Sequence, residues 1–260
     1  MKFENIRVMN FENAFRGMRN PKNSWHLSDS AFGLWSDKIS IIPTPIVNKT
    51  LFEWKDESAP DWQILYRDEN EPSLYEYAAI GPKDMKLAKT LIKAGSEHRK
   101  FMRQIFVSVD ITAPLYWWKE FDTYKVATVA NSTSTMHKIA SAPITRECFE
   151  IDDFHSIEFD GGEIDTIINY CENLRQAYLK TNDKKVWKEL IRWLPESFLQ
   201  KRTVTMNYEN LLGMCSKGQR RFHKLNEWSG MDDNTLTNFI QFVRKLPYAQ
   251  DLIFIDEEIN

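Results

Sequence analysis

The sequence predicts a fold of the α+β class, and three observations support this prediction. A strand is expected near the middle of the chain, where apolar and polar residues alternate between Arg103 and Ile111. The C-terminal half instead repeats its apolar residues at helical spacing. With 260 residues, 42% of them hydrophobic and 27% charged, the chain can bury an ample core. Strands and helices in separate stretches are typical of α+β domains.

The N-terminal stretch is expected to open with a short strand, Ile6 to Phe11, followed by a helical turn that stops at Asn20-Pro21. Arg16 and Arg19 are three residues apart and would share a face. Two interpretations of this pair remain open, since the two side chains could hold an anion or simply be solvated.

Residues 32–82 are irregular and rich in proline, with strand-like pieces at Ile39–Ile42 and Trp62–Tyr66. We interpret this segment as an insertion of loops and a hairpin into a single domain that spans residues 1–260. A helix from Lys83 to Ala94, which Gly95 ends, then leads to the central stretch.

The central stretch, Ser96 to His137, is the best candidate for a functional site. After the strand, Thr112 is expected to cap a short helix with Pro114 in its first turn. That helix ends near Lys125, and a β-leaning run leads into a polar loop, Asn131–Thr135. The strand, helix and loop would bring His98, Lys125 and several hydroxyl groups near one another.

Each of these candidates also has a structural interpretation. A loop histidine such as His98 can simply be solvated. Lys125 would interact favourably with the end of its helix whether or not it binds a ligand. The hydroxyls of Asn131–Thr135 could bind phosphate or ribose, or could hydrogen-bond to their own backbone.

The C-terminal half is expected to contain a long helix from Glu163 to Lys180 and a second one that Pro195 stops. A third helical run would begin at Met206-Asn207 and resume as far as Trp228, and a last helix would cover Leu236–Leu246. The tail Ile253–Asn260 would be a strand fragment or frayed. A group of basic residues falls at helical spacing, which suggests a bound anion or a network of ion pairs: Lys217, Arg220, Arg221, His223 and Lys224.

Composition and missing motifs argue against several classes of function. A net charge of −3 gives no support for binding a nucleic acid polymer. No signal core or apolar run of membrane-spanning length is visible, so no membrane association is expected. The three cysteines show no metal-binding or disulfide spacing, which favours a reducing cytoplasm, and only Cys215 lies near a lysine. Without GxSxG, GxxxxGKS/T, GxGxxG or HExxH, nothing supports hydrolysis or metal catalysis.

In the order and spacing of these features, the chain resembles the flavin-dependent thymidylate synthases. Counted from Ala113-Pro114, the Arg-His-Arg signature of that family falls on Thr123-Tyr124-Lys125. In its C-terminal half the family carries a Leu-Pro, then a Met-Asn or similar pair, then an arginine and a Glu-Ile. These look matched here by Leu194-Pro195, Met206-Asn207, Arg220 or Arg221, and Glu227-Trp228. The resemblance covers about residues 83–228 and extends to the first thirty. It implies a central, mostly antiparallel twisted sheet with flanking helices.

The resemblance also implies where ligands bind, although it assigns no catalytic residue. The expected flavin contacts are His98, Lys100, Thr123, Tyr124, Lys125, Asn131 and Asn207. The expected substrate contacts are Glu120, Thr133, Ser134, Thr135, Arg192, Arg220 and Arg221. The chain departs from the family because only Lys125 keeps a charge in the signature, and Thr135, which stands where the family has arginine, cannot clamp a phosphate as arginine does.

Membership of the family would imply reductive methylation of dUMP to dTMP in a homotetramer. Methylenetetrahydrofolate would donate the carbon, and FAD, replenished by NADPH, would supply the hydride. No enzyme nucleophile attacks the ring, so the protein mainly positions flavin and nucleotide. Two alternatives remain open: the same chemistry on another pyrimidine nucleotide, and a diverged, non-catalytic protein that binds a nucleotide or flavin on the same scaffold.

Overall fold

The computed structural model of the protein describes residues 1–36, 39–43, 62–67, 74–124, 126–151, 162–215, 220–230 and 237–257. Within these residues the strands are β1 (Lys2–Met9), β2 (Ala31–Ser36), β3 (Ile39–Pro43), β4 (Trp62–Arg67), β5 (Leu74–Ala79), β6 (Phe106–Pro114), β7 (Val129–Ser132) and β8 (Leu199–Asn207). The helices are α1 (Phe11–Arg19), α2 (Pro82–Lys93), α3 (Leu115–Phe121), α4 (Thr135–Lys138), α5 (Gly162–Thr181), α6 (Lys184–Trp193), α7 (Tyr208–Met214), α8 (Asn226–Ser229), α9 (Phe239–Arg244) and α10 (Ala249–Leu252).

One four-stranded sheet has the strand order β1-β6-β8-β7. In β6, Val107, Val109 and Ile111 are buried while the residues between them are more exposed, as a strand with one covered face requires. Strands β6 and β8 run antiparallel. Just beyond the two ends of the pair, the Leu115 amide donates to the Phe198 carbonyl and the Tyr208 amide donates to the Ile105 carbonyl.

A second four-stranded sheet has the order β3-β2-β5-β4 and is antiparallel throughout. Its central pair, β2 and β5, keeps an unbroken register from Ala31 opposite Ala79 to Ser36 opposite Leu74. Phe32 and Tyr77 are buried in this sheet.

The chain forms two compact units. The first contains Met1–Phe3, Asp110–Lys125 and Ala130–Thr203, and the second contains Glu4–Val109, Val126–Val129 and Val204–Asn260. The core of the first unit joins side chains of α5 and α6 to those of the segment that follows α4: Ile139, Ile144, Phe149, Ile168, Cys171 and Leu190. In the second unit, the rings of Phe11, Phe15, Phe101 and Tyr208 pack mainly edge to face.

The α+β class and the antiparallel sheet with flanking helices are confirmed. The central strand, the strand pieces within residues 32–82, the helix after Pro82 and the two long helices before Pro195 all form close to their expected positions. Within the described part of the chain, no helix is both long enough and apolar enough to cross a membrane.

Several expectations about the elements are wrong. Thr112 does not cap a helix, because β6 continues to Pro114 and α3 begins at Leu115. The helix expected to open at Met206-Asn207 does form as α7, with Asn207 as its cap, but Met206 and Asn207 themselves end β8, a strand that the sequence did not predict. The expected loop Asn131–Thr135 instead comprises the end of β7, the capping residue Ser134 and the first residue of α4.

The C-terminal expectations also change. Arg220 and Arg221 lie in a turn rather than a helix, so the expected i,i+4 spacing of the basic residues does not form there. Lys217 lies outside the described residues. The tail Ile253–Asn260 was expected to be a strand fragment or frayed, but its first two residues, Ile253 and Phe254, follow α10 and are fully buried. Hydrophobic burial therefore holds these two residues in place.

Arg19 was expected to hold an anion or to be solvated, and both interpretations are wrong. Its guanidinium is buried and donates to the Asp84 carboxylate at 2.5 Å. The hydroxyls of Ser28 and Ser30 donate to the other oxygen of Asp84 at 2.6 Å each. Both charges are thus compensated inside the second unit.

Candidate functional site

Two polar segments expected to bind ligands lie in the first unit. The first follows α3, where the Tyr124 hydroxyl donates to a Glu120 carboxylate oxygen at 2.8 Å and the Thr123 hydroxyl donates to the Glu120 carbonyl. Three of the expected ligand contacts are therefore held together on one turn. Lys125, which follows them, lies outside the described residues.

The second segment, Thr133–Thr135, runs along the start of β8. The Thr133 amide donates to the Lys201 carbonyl at 2.9 Å, which aligns the two chains as neighbouring strands. The Thr133 hydroxyl donates to the same carbonyl at 3.2 Å. Ser134 caps α4 by accepting from the His137 amide. Asn131, at the end of β7, is exposed.

Gln200 and Arg202 of β8 connect these two segments. The Gln200 amide nitrogen lies 3.0 Å from the Thr133 carbonyl and 3.3 Å from the Thr135 hydroxyl. Arg202 donates to the Gln200 side-chain oxygen at 3.0 Å and to both Asp122 carboxylate oxygens at 3.2 and 3.3 Å. These contacts form a continuous chain from Asp122, which precedes Thr123, to Thr135.

Trp118 supports this chain of contacts from the end of α3. Its indole donates to the Gln200 carbonyl at 2.9 Å, and the Arg202 guanidinium lies over its ring at 4.3 Å from the centroid. Trp118 itself is fully buried. The guanidinium is thus fixed by a stacked ring, a carboxylate and an amide.

A cavity of about 150 Å³ opens beside the second segment. One part of its lining is formed by three residues that carry hydroxyls, Thr133, Ser134 and Thr135, together with Lys138. The rest is mostly apolar and is formed by Ile139, Ala142, Pro143, Ile144, Cys148, Phe198 and Leu199. This volume accommodates a single ring or a group of phosphate size.

An ion pair holds the apolar part of this wall. Glu172 accepts from the Ile144 amide at 2.8 Å and from Arg175 at 2.7 Å, and Arg175 donates to the Ala140 carbonyl at 3.1 Å. The guanidinium of Arg175, followed by the Ile144 and Gln176 donors, lowers the pKa of Glu172 to about 2, although burial opposes the shift.

A larger cavity of about 760 Å³ adjoins this region in the first unit, where Thr112, Cys148 and Phe198 contribute to its wall. Cys148 therefore lines both cavities. Its thiol is partly buried and lies 3.9 Å from the Pro143 carbonyl. Cys215, the cysteine that the sequence placed near a lysine, is buried, and burial raises the pKa of its thiol, which disfavours a nucleophilic role.

Arg192 lies on the surface of α6. Its guanidinium donates to Glu189 at 2.6 Å, and both side chains are partly exposed. An exposed pair of this kind exchanges readily with other partners, so the guanidinium is available to an anion.

The remaining expected contacts lie in the second unit. His98 is exposed, and Lys100 is an exposed lysine 3.8 Å from Glu97. Asn207 is buried and forms a capping box with Asn210 at the start of α7. Its side-chain oxygen is therefore used by the backbone of α7.

Arg220 and Arg221 both contact the protein itself. Arg220 donates to the Gly213 carbonyl at 3.2 Å. Arg221 is buried and pairs with Asp256 at 2.5 Å and Glu257 at 2.9 Å. Of the two interpretations that the sequence left open for this basic group, the network of ion pairs describes Arg221.

The sequence interpretation missed Gln200, Arg202 and Lys138. Gln200 and Arg202 are two residues apart on β8 and so point to the same side of the strand. Val204 and Met206, which are both buried, continue that alternation. The two-residue alternation of a strand is therefore present in β8, but the residues before Val204 are polar on both sides, so the sequence shows no alternation of apolar and polar residues there.

Comparison with solved structures shows which fold this is. The chain is similar to the flavin-dependent thymidylate synthase ThyX from Helicobacter pylori complexed with FAD and dUMP, with a TM-score of 0.55, 13% identity, and 96% of this chain and 98% of that chain covered. A second structure of the same synthase, also with FAD and dUMP, gives a TM-score of 0.54, 13% identity and 98% coverage of both chains. No protein-family model and no curated protein sequence matches the chain. The chain therefore has the fold of these synthases at a low level of identity.

Proposed function

We propose that this protein is a flavin-dependent enzyme that methylates a pyrimidine nucleotide, converting dUMP to dTMP with methylenetetrahydrofolate and NADPH. The observation that carries the proposal is a match over nearly the full length of both chains to a synthase that holds FAD and dUMP. The hydroxyl-lined cavity in the segment that the sequence assigned to the substrate supports it.

The proposed flavin contacts are those that the resemblance implies: His98, Lys100, Thr123, Tyr124, Lys125, Asn131 and Asn207. The exposed donors fit the group, because the N–H groups of His98 and Lys100 suit the diphosphate of FAD. A bound flavin would supply the hydride of the reductive step. The side chains of this chain would bind and orient the reactants rather than react with them.

The proposed nucleotide contacts are also those that the resemblance implies: Glu120, Thr133, Ser134, Thr135, Arg192, and Arg220 or Arg221. Arg221 is already paired with two carboxylates, so binding would require an exchange of partners. Arg192 has an exposed partner and would rearrange at lower cost.

A second candidate function is supported by three substitutions at family positions, two in the signature and one after it. Thr123, Tyr124 and Thr135 stand where the similar family has arginine, histidine and arginine. Without those arginines and that histidine, a phosphate or flavin would be held differently. The same chemistry on another pyrimidine nucleotide, or binding of a nucleotide or flavin without turnover, would then be the activity of this scaffold.

The test begins with the purified protein. We expect it to be yellow, with flavin absorption bands, or to acquire them when FAD is added. With flavin bound, tritium should be released from labelled dUMP in the presence of methylenetetrahydrofolate and NADPH. A protein that binds no FAD would exclude the flavoenzyme. Bound FAD without tritium release from dUMP would direct the same assay to labelled UMP and dCMP.

We further propose that the chain assembles as a homotetramer in a reducing compartment such as the cytoplasm. Its cysteines, Cys148, Cys171 and Cys215, are free thiols, which suits that compartment. Light scattering of the purified protein should give about four times the 30.7 kDa mass of one chain. The mass of a monomer would contradict this assembly.

A further inference from the structure

The hydroxyls that line the 150 Å³ cavity have a defined hydrogen-bond direction. Ser134 Oγ accepts from the His137 amide at 3.2 Å, and Thr135 Oγ1 accepts from Gln200 Nε2 at 3.3 Å. Each oxygen thus receives a proton from nitrogen, so its own proton can be donated elsewhere. Among the residues that the structure describes, neither hydroxyl proton has an acceptor.

Thr133 does not contribute in the same way, since its hydroxyl proton goes to the Lys201 carbonyl. Lys138 does contribute, because an ammonium group can only donate. The polar residues of the lining therefore have donors to offer, namely the hydroxyl protons of Ser134 and Thr135 and the Lys138 ammonium.

Whether the Thr135 hydroxyl accepts from or donates to Gln200 depends on which atom of the Gln200 amide, nitrogen or oxygen, faces it. A guanidinium can only donate, so the Gln200 atom that lies 3.0 Å from Arg202 Nε must be the oxygen. The nitrogen consequently faces Thr133 and Thr135. Asp122 and the Trp118 ring in turn hold Arg202, so the orientation of the amide is fixed through several contacts.

We propose that Gln200 is a positioning residue that sets the Thr135 hydroxyl as a donor and thereby makes this cavity select an oxyanion. The group it takes carries oxygen acceptors and no donors, and Lys138 favours a negative charge on it. The volume admits such a group or a single ring, but not a whole nucleotide. This inference rests on the proposed function in taking the group to be the phosphate of a nucleoside monophosphate.

The first variant, Gln200→Met, keeps the volume of the side chain and its charge but removes the amide. Calorimetric titration with dUMP, deoxyuridine and inorganic phosphate provides the measurement. We expect the affinity for dUMP and for phosphate to fall by up to about tenfold, because the Thr135 hydroxyl is no longer held as a donor towards the charged group. The affinity for deoxyuridine, which has no phosphate, should change less than about threefold. If the role of Gln200 were purely structural, Gln200→Met would lower the affinities for deoxyuridine and for dUMP by the same factor.

Two substitutions of Arg202 provide an independent test if Gln200→Met does not fold. Arg202→Lys still donates to the Gln200 oxygen and should retain the binding of dUMP. Arg202→Met removes one of the two contacts that orient the amide and leaves only the Thr133 carbonyl to hold its nitrogen, so the binding of dUMP should be weaker than in Arg202→Lys. Lys188→Gln, which removes an exposed charge from α6, serves as the control and should bind like the wild type.

The outcomes separate this inference from the proposed function. Equal affinities of wild type and Gln200→Met for dUMP and phosphate would overturn the role of Gln200 and leave the enzyme proposal intact. A wild type that binds phosphate but not dUMP, with weaker phosphate binding in Gln200→Met, would support the oxyanion site and contradict the enzyme proposal. A wild type that binds neither would overturn both.

Discussion

The buried guanidinium groups of Arg19 and Arg221 are each paired with carboxylates from distant parts of the chain. Arg19 pairs with Asp84, and Arg221 pairs with Asp256 and Glu257. A charge taken out of water is tolerated only when an opposite charge and hydrogen bonds accompany it. Removing one partner of either pair would therefore destabilise the second unit, whereas exposed cations such as Lys138 can serve a ligand.

Glu172 makes the stability of the first unit depend on pH. Its pKa is about 2 in the folded protein, against an ordinary value of 4.5. The unfolded chain therefore binds a proton at a higher pH than the folded chain does. The stability that Glu172 contributes is complete above pH 4.5 and is lost as the pH falls from about 4.5 towards 2.

We expect Glu172→Gln to lower the free energy of unfolding at pH 7 by about 1–3 kcal/mol, because Arg175 is left without its charged partner. The difference between variant and wild type should shrink as the pH falls to about 3. Urea titrations at pH 7, 5 and 3 measure it. Asp165→Asn, which breaks the exposed pair with Arg146, is the control and should change little. A difference that stays constant with pH would contradict the assignment.

At the scale of elements, β8 contacts both of the expected site segments. It is also a strand that the sequence analysis did not predict. Its first half, Leu199–Thr203, is polar because Gln200 and Arg202 make contacts on one side while Lys201 and Thr203 reach Asp110 on the other. Alternation between apolar and polar residues is the signal for a strand, and a strand with polar contacts on both sides does not show it.

Elements with a regular apolar period could be predicted from the sequence. Strand β6 and helices α5 and α6 bury one stripe each, and their positions were expected to within a few residues. The site segments could be located, but not their partners. Whether Arg221 is solvated or buried depends on Asp256, which is 35 residues away and comes close only through tertiary packing.

Helix α7 offers a test of a residue with two assigned roles. Asn207 accepts from the Asn210 amide at 3.0 Å and is also proposed to contact FAD. Asn207→Ala should cost about 1 kcal/mol of stability through loss of the cap, whereas Asn207→Asp retains a capping oxygen and should be near wild type. Thermal unfolding and titration with FAD measure the two roles.

The control for this pair is Asp183→Ala, which removes the cap of α6, where Asp183 accepts from the Lys185 amide at 2.8 Å. It should lower stability by a similar amount and leave FAD binding unchanged. If Asn207→Asp is stable and binds FAD more weakly, the amide of Asn207 serves the flavin. Unchanged FAD binding in both Asn207 variants would leave this residue as a cap alone.

At the scale of the whole molecule, the division into two compact units falls inside every strand of the first sheet. The boundaries lie between Phe3 and Glu4 in β1, Val109 and Asp110 in β6, Val129 and Ala130 in β7, and Thr203 and Val204 in β8. Neither unit consists of one continuous stretch of chain. Since a domain that folds alone usually has boundaries in linkers, this arrangement favours the proposal of a single domain.

A single domain should unfold in one cooperative transition. Calorimetry of the purified protein is expected to give one peak whose calorimetric and van't Hoff enthalpies agree for the cooperative unit. Glu172→Gln, in the first unit, and Asp84→Asn, in the second, should each shift this peak to lower temperature without splitting it, because a strand broken in either unit is lost to both. Two separate peaks, or a variant that lowers only part of the transition, would show that the units unfold independently.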